Sequence, residues 1–206
     1  MSESPQLYLI RHGETAWSIT GQHTGSTDLA LTPRGEEEAR GLAPCLRTIR
    51  FTRILTSPLL RARQTCELAG LGAKVSIEQD LVEWNYGDYE GKRTVDIQQK
   101  RPGWNVWRDG CPQGETPTNI SDRADRLLGR LRALSGNVAL FSHGQFGSAL
   151  AARWIELAVI EAQHFTLGPA SISLLTHEAG HPKVPVIALW NAMQSIRTSH
   201  PMPAKK

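Results

Sequence analysis

The sequence predicts an α/β fold in which a mainly parallel sheet is covered on both faces by helices. Two observations carry that prediction. Short apolar runs rich in strand formers alternate with segments of helical periodicity. Two of those runs end directly in a His-Gly pair: Leu7-Tyr8-Leu9-Ile10 before Arg11-His12-Gly13, and Val138-Ala139-Leu140-Phe141 before Ser142-His143-Gly144. Strands of a parallel sheet are buried on both faces, so they form continuous apolar runs rather than alternating ones. Ligands of open α/β sheets gather beyond the carboxyl ends of the strands, which is where both histidines fall.

Four further strands are predicted at Arg53–Thr56, Lys74–Ile77, Ser171–Leu175 and Val184–Leu189. A helix over Gly35–Leu46 follows the start signal Thr32-Pro33, with Glu36, Glu37 and Glu38 complementing the dipole of its first turn. Ser57-Pro58 predicts a cap and a first-position proline for a helix over Pro58–Leu68. Ile120, Ala124, Leu127, Leu128, Leu131 and Leu134 recur at helical spacing, and Gly136 closes that helix. A last helix is expected from about Gln145 to Ile155. Between Glu83 and Thr118 the chain is rich in Gly, Pro, Trp and charge, which predicts an irregular lid or substrate-selecting segment.

The 206 residues suffice for a single domain spanning 1–206 with a full core. Hydrophobic content of 40% and charged content of 21% are those of a water-soluble globular chain. No apolar run is long enough to span a bilayer and Met1–Pro5 holds no signal-peptide core, so no membrane association is expected. The three cysteines (Cys45, Cys66 and Cys111) are odd in number and widely spaced, which predicts a reducing, cytoplasmic setting without disulfides. The net charge of +3 is spread among interspersed acids and bases, as in Arg34–Arg40, which argues against a nucleic-acid partner, and none is expected. Lys205-Lys206 is expected to be a frayed tail. The apolar 170–190 region offers an edge-strand contact for a homodimer.

The chemistry concentrates on a few side chains. A histidine has a lone pair available at neutral pH and serves as nucleophile, base or metal ligand. A histidine that accepts a phosphoryl group needs cations beside it, and Arg11 is adjacent, with a planar fork suited to phosphate oxygens. Arg61 falls one turn into the helix opened by Ser57-Pro58, where the helix dipole favours an acid, so a base there points to an anion. Glu83 stands between an apolar stretch and an aromatic, glycine-rich one. A carboxyl beside a dianionic phosphate gains proton affinity from the like charge, which suits a general acid. Of the seven histidines only His177 and His181 have the H-x-x-x-H or H-E-x-x-H spacing of a metal site, and they lie across a turn rather than on a helix face. Gly87–Lys92 has one residue too few for a phosphate-binding loop.

Four ordered blocks resemble the histidine phosphatase superfamily, the phosphoglycerate-mutase-like group. They are Arg11-His12-Gly13-Glu14-Thr15, then Ser57…Arg61-Ala62…Gln64-Thr65, Glu83…Tyr86-Gly87…Glu90-Gly91, and Ser142-His143-Gly144. The resemblance runs from Leu7 to His177. It implies a three-layer α/β/α sandwich, His12 as the phosphorylated nucleophile, and Arg11, Arg61 and His143 as phosphoryl ligands. It further implies Glu83 as proton donor and no metal or other cofactor.

Within that family, Gly21–Leu29 resembles the mutase loop that contacts substrate, here through Gln22, Thr24 and Gly25, and Tyr86 and Gly144 match substrate positions. Ser18 stands where mutases carry asparagine, Thr94 where they carry lysine, and no Arg-Arg pair occurs between Glu83 and His143. Trp107–Pro112 with Gly114-Glu115-Thr116 is similar to the sugar-bisphosphatase branch, of which sedoheptulose-1,7-bisphosphatase is the example. The expected activity is hydrolysis of a small phosphorylated metabolite, a sugar phosphate or bisphosphate. The alternatives are a cofactor-dependent phosphoglycerate mutase and a catalytically idle phosphate-sensing or protein-binding module.

Overall fold

The computed structural model describes residues 4–193; Lys205-Lys206 lies outside them. Six strands form one sheet in the order β3-β2-β4-β1-β5-β6, with β1 Gln6–Arg11, β2 Phe51–Thr56, β3 Ser76–Ile77, β4 Asn137–Ser142, β5 Ser171–Glu178 and β6 His181–Met193. The first four are parallel, and β5 and β6 close the sheet as an antiparallel hairpin beside β1. Alternate strand residues feed opposite faces, as the two-residue side-chain period requires. Leu7, Leu9, Val138 and Leu140 pack under α7 (Pro117–Leu131) and α8 (Gly144–Trp154). Ile10, Ala139 and Phe141 pack under α2 (Pro33–Gly41), α3 (Ala43–Leu46) and α4 (Leu60–Leu68). The molecule is a three-layer α/β/α sandwich.

Several boundaries differ from the sequence expectation. The helix expected over Gly35–Leu46 is two helices meeting at Leu42. Pro44 has no N–H to continue the first ladder and is accommodated at the start of the second. Ser57-Pro58 does not cap a helix. The helix begins at Leu60 after an extended Leu59, and the Leu60 N–H donates to Asp28 Oδ1 at 2.6 Å. A short helix α1 (Ala16–Thr20) was not expected; Thr15 and Ser18 cap its start reciprocally.

The 83–118 segment is irregular only in part. It holds α5 (Thr94–Lys100) and α6 (Val106–Asp109) and a core of its own, in which Trp84, Trp104 and Trp107 bury against Ala149 and Ala152 of α8. Large aromatics bring enough buried area to order a Gly- and Pro-rich stretch.

The strand ends set the site. Arg11 pairs in register with Ser142, and Thr56 with Phe141, so the residues that follow β1, β2 and β4 emerge side by side. His12 is pinned through its backbone: its N–H donates to the Ser142 carbonyl, and its carbonyl accepts from Ala170, both at 3.0 Å. Gly13 and Gly35 let the loop after β1 touch the start of α2. A Cβ on Gly13 would overlap the Gly35 carbonyl oxygen, and one on Gly35 would overlap that of Glu14. Backbone cannot swing aside as a side chain can. Gly13→Ala is therefore expected to cost about 1–3 kcal/mol of stability, read as a lowered urea midpoint; wild-type stability would show that the contact relaxes freely.

Candidate active site

A cavity of about 340 Å³ opens at the carboxyl end of the parallel strands, with Arg11, His12, Glu83, Tyr86 and Gly144 on its wall. His12 is buried, and its Nδ1 lies 2.7 Å from the Gly13 carbonyl. A carbonyl only accepts, so Nδ1 is assigned the proton and Nε2 keeps its lone pair. Burial foremost, then the charges of Arg11 and Arg61, holds His12 well below the ordinary imidazole range. The ring is a neutral base with one free nitrogen.

Arg11 Nη1 donates to the Leu167 carbonyl, while its Nε is buried with no partner. A buried cationic donor without an acceptor is costly, and an incoming anion would relieve it. Gly144 leaves room beside it, since a Cβ there would stand 3.4 Å from the guanidinium carbon.

Arg61 and His143 lie behind His12 rather than on the cavity wall, and both are fully buried. Arg61 Nε donates to His143 Nδ1 at 3.2 Å. Its Nη2 donates to the carbonyls of Thr24 and Gly25 at 2.9 and 3.1 Å, and its Nη1 to that of Thr27 at 3.0 Å. Four of the five guanidinium N–H groups are thus committed to protein. Arg61 ties down the loop expected to touch substrate instead of standing free in the cavity. Because arginine only donates, His143 carries its proton on Nε2, which lies 2.8 Å from Ser57 Oγ. The two histidine rings are 5.2 Å apart. Burial, then Arg61, His12 and Arg11, keeps His143 well below its usual range as well.

Glu83 projects into the start of α8. Oε1 accepts the N–H groups of Trp84 at 2.8 Å and Phe146 at 2.7 Å, and Oε2 accepts that of Gln145 at 3.0 Å. It occupies the N–H groups of a helix terminus, a position suited to an anion.

The expected substrate residues divide. Ser18, Gln22, Thr24 and Tyr86 line the cavity. The Ser18 hydroxyl is engaged in the cap of α1, and Gln22 Nε2 donates to the Gly91 carbonyl at 2.8 Å. Tyr86 donates its hydroxyl to Gln145 Oε1 and stacks on His23 with ring centroids 4.5 Å apart. Gly25 is not on the wall. Its N–H donates to Glu90 at 2.9 and 3.0 Å, and a Cβ would overlap the Trp84 carbonyl oxygen at 2.5 Å.

The sequence reading missed His23, Trp17, Gln145 and Gln163 on the wall, and Glu90, whose carboxylate accepts Gly25 and Thr27 and so fixes the loop that Arg61 grips. The Glu90-Gly91 pair in the third sequence block was the available signal. His23 is pushed down to about 4 by burial, against the opposing pull of Glu90. Among the described residues no group of three or more His, Cys, Asp or Glu side chains gathers to hold a metal, and no helix is long and apolar enough to cross a membrane.

These depressed histidines set a pH dependence of stability. Below the unfolded value of about 6.5 the unfolded chain binds protons that the native state refuses. Stability is therefore full above about pH 6.5 and falls as pH drops toward the lowered native values of His12, His143 and His23. Urea midpoints between pH 7 and 5 are expected to decline, and the decline is expected to shrink in His23→Asn. A flat profile would show that the rings accept protons in place.

Fold and site define a class: an α/β phosphatase built round a strand-end histidine pair. The chain belongs to the histidine phosphatase superfamily (branch 1), whose pattern matches residues 7–192. It is 38% identical over 202 residues to an acid phosphatase of Mycobacterium tuberculosis, covering 96% of this chain and 95% of that one. It is also 38% identical over 191 residues to sedoheptulose 1,7-bisphosphatase of Saccharomyces cerevisiae, covering 77% and 70%. The solved structure of an open reading frame product from Mycobacterium tuberculosis matches with a TM-score of 0.86 at 37% identity, covering 92% of this chain and 98% of that one.

Proposed function

We propose that this chain hydrolyses a small phosphorylated metabolite, a sugar phosphate or bisphosphate, through a phosphohistidine and without a metal. The observation that carries the reading is the pairing on one cavity wall of a neutral His12 with Arg11, whose buried Nε has no partner. Arg11 orients the phosphoryl group, with Arg61 supplying charge and the neutral His143 shape from behind His12. His12 Nε2 attacks phosphorus in line, the P–O bond to the leaving group breaks, and Glu83 gives that oxygen its proton. Water then attacks the phosphohistidine, with Glu83 taking the proton, and releases inorganic phosphate. The two relatives named for hydrolysis and the lack of an Arg-Arg pair between Glu83 and His143 support hydrolysis over mutase chemistry.

The test is phosphate release from a panel of sugar mono- and bisphosphates with EDTA present, beside a phosphoglycerate mutase assay primed with bisphosphoglycerate. Release that EDTA leaves intact, with no primed interconversion, is expected. Primed interconversion without release would replace hydrolysis by mutase chemistry, and loss of release in EDTA would overturn metal independence.

A further inference from the structure

Arg123 occupies the buried face of α7, among positions otherwise filled by Ile120, Ala124 and Leu127. A guanidinium on the core stripe of an amphipathic helix needs a full set of acceptors, and it has them. Nε and Nη2 donate to the two carboxylate oxygens of Glu115, both at 2.9 Å. Nη1 donates to the carbonyls of Asp80 and Val82 at 3.0 and 2.7 Å, and Nη2 to that of Glu83 at 3.2 Å. Glu115 extends the grip to the other side of Glu83. Its Oε2 accepts the Asn85 N–H at 2.8 Å, its own N–H donates to the Asn85 carbonyl at 2.8 Å, and its carbonyl accepts the Trp84 indole at 3.0 Å.

One ion pair therefore holds the backbone before, at and after Glu83. It also reaches the far end of that carboxylate: the Arg123 guanidinium lies over the Phe146 ring, 4.1 Å from its centroid, and Phe146 supplies one of the N–H groups that Glu83 Oε1 accepts. Neither Arg123 nor Glu115 lines the cavity. We infer that Arg123 and Glu115 are positioning residues for the Glu83 carboxyl, setting where its proton stands relative to the leaving oxygen. Glu83 sits on a connection outside the helices and strands, between a one-turn helix at Gln79–Leu81 and one at Gly87–Tyr89. Nothing regular fixes its backbone, and the fork of Arg123 supplies that constraint from α7.

The inference rests on Glu83 as proton donor, and the experiment separates the two. Arg123→Lys keeps the charge and loses the fork; Glu115→Gln breaks the bidentate pair. Each is assayed in the full chain on p-nitrophenyl phosphate, whose phenolate leaves without a proton, and on β-glycerol phosphate, whose alkoxide needs one. The expected result is a loss of about 10²-fold in kcat/KM on the alkyl ester, the scale of a small misplacement of a catalytic group, with a much smaller loss on the aryl ester. The aryl-to-alkyl ratio of kcat/KM therefore rises. Equal losses on both esters, tracking the folded fraction from thermal unfolding, would reduce the pair to a structural contact and overturn the inference.

Arg123→Met with Glu115→Leu, which removes the pair without stranding a charge, is expected to keep the raised ratio; a return to the wild-type ratio would equally overturn it. Glu83→Gln measured alongside identifies which reading fails. An unchanged ratio there defeats the proton-donor assignment itself. A raised ratio there with an unchanged ratio in the pair variants defeats positioning alone.

Discussion

His12→Asn is expected to abolish turnover while leaving the protein folded. The asparagine amide reproduces the donor that His12 Nδ1 offers to the Gly13 carbonyl at 2.7 Å, so the local backbone keeps its partner. What it lacks is Nε2. With the lone pair gone, no phosphohistidine forms, and label from a radioactive phosphomonoester no longer attaches to the protein in acid-labile form. Removing a covalent nucleophile from an otherwise intact site costs on the order of 10⁴-fold or more in kcat, the remainder coming from positioning and charge. A urea midpoint close to that of the wild type keeps misfolding out of the explanation. Turnover near the normal rate in this variant would remove His12 from the mechanism.

The parts of this site that were legible in the sequence are those encoded locally. A β-strand ending in Arg-His-Gly or Ser-His-Gly announces itself in a few residues, and the sheet then places the two ends in register, Arg11 opposite Ser142. Arg61 stands out in the sequence as a candidate cation, but its geometry does not. Its acceptors at Thr24, Gly25 and Thr27 lie more than thirty residues away, and no spacing rule relates an arginine to carbonyls that far upstream. The expected three-sided clamp became one cation on the wall and two groups behind it for that reason.

The same limit hid Glu90, Glu115 and Arg123, whose roles exist only once distant segments pack. The Trp-rich segment was misjudged differently. Its Gly and Pro content signals turns, whereas the aromatic area that turns it into an ordered unit carries no period. Ser57-Pro58 was overridden from outside: Asp28 supplies the N-terminal acceptor of α4, and the Ser57 hydroxyl stands 2.8 Å from His143 Nε2 instead.

Glu83→Gln is expected to be the second most damaging change, and its effect depends on the substrate. Its Oε1 accepts from Trp84 and Phe146 and its Oε2 from Gln145. A glutamine carbonyl can keep the first two bonds, but its amide nitrogen then faces the Gln145 N–H, donor against donor. That mismatch costs about 1–3 kcal/mol and is visible as a lowered urea midpoint. The catalytic loss is separate, because the amide has no proton to give a departing alkoxide. General acid catalysis is worth about 10²–10⁴-fold, so hydrolysis of an alkyl monoester is expected to fall by that factor in kcat/KM, which reports the steps up to departure of the leaving group and not the later hydrolysis of the phosphohistidine. An aryl ester such as p-nitrophenyl phosphate departs as a stable anion and is expected to lose far less in kcat/KM, and labelling of His12 from it is expected to persist. If both esters fell together in proportion to lost stability, Glu83 would be a helix cap for α8 and the proton would have to come from elsewhere. The divergence of the two substrates, rather than the size of either loss, decides between those roles.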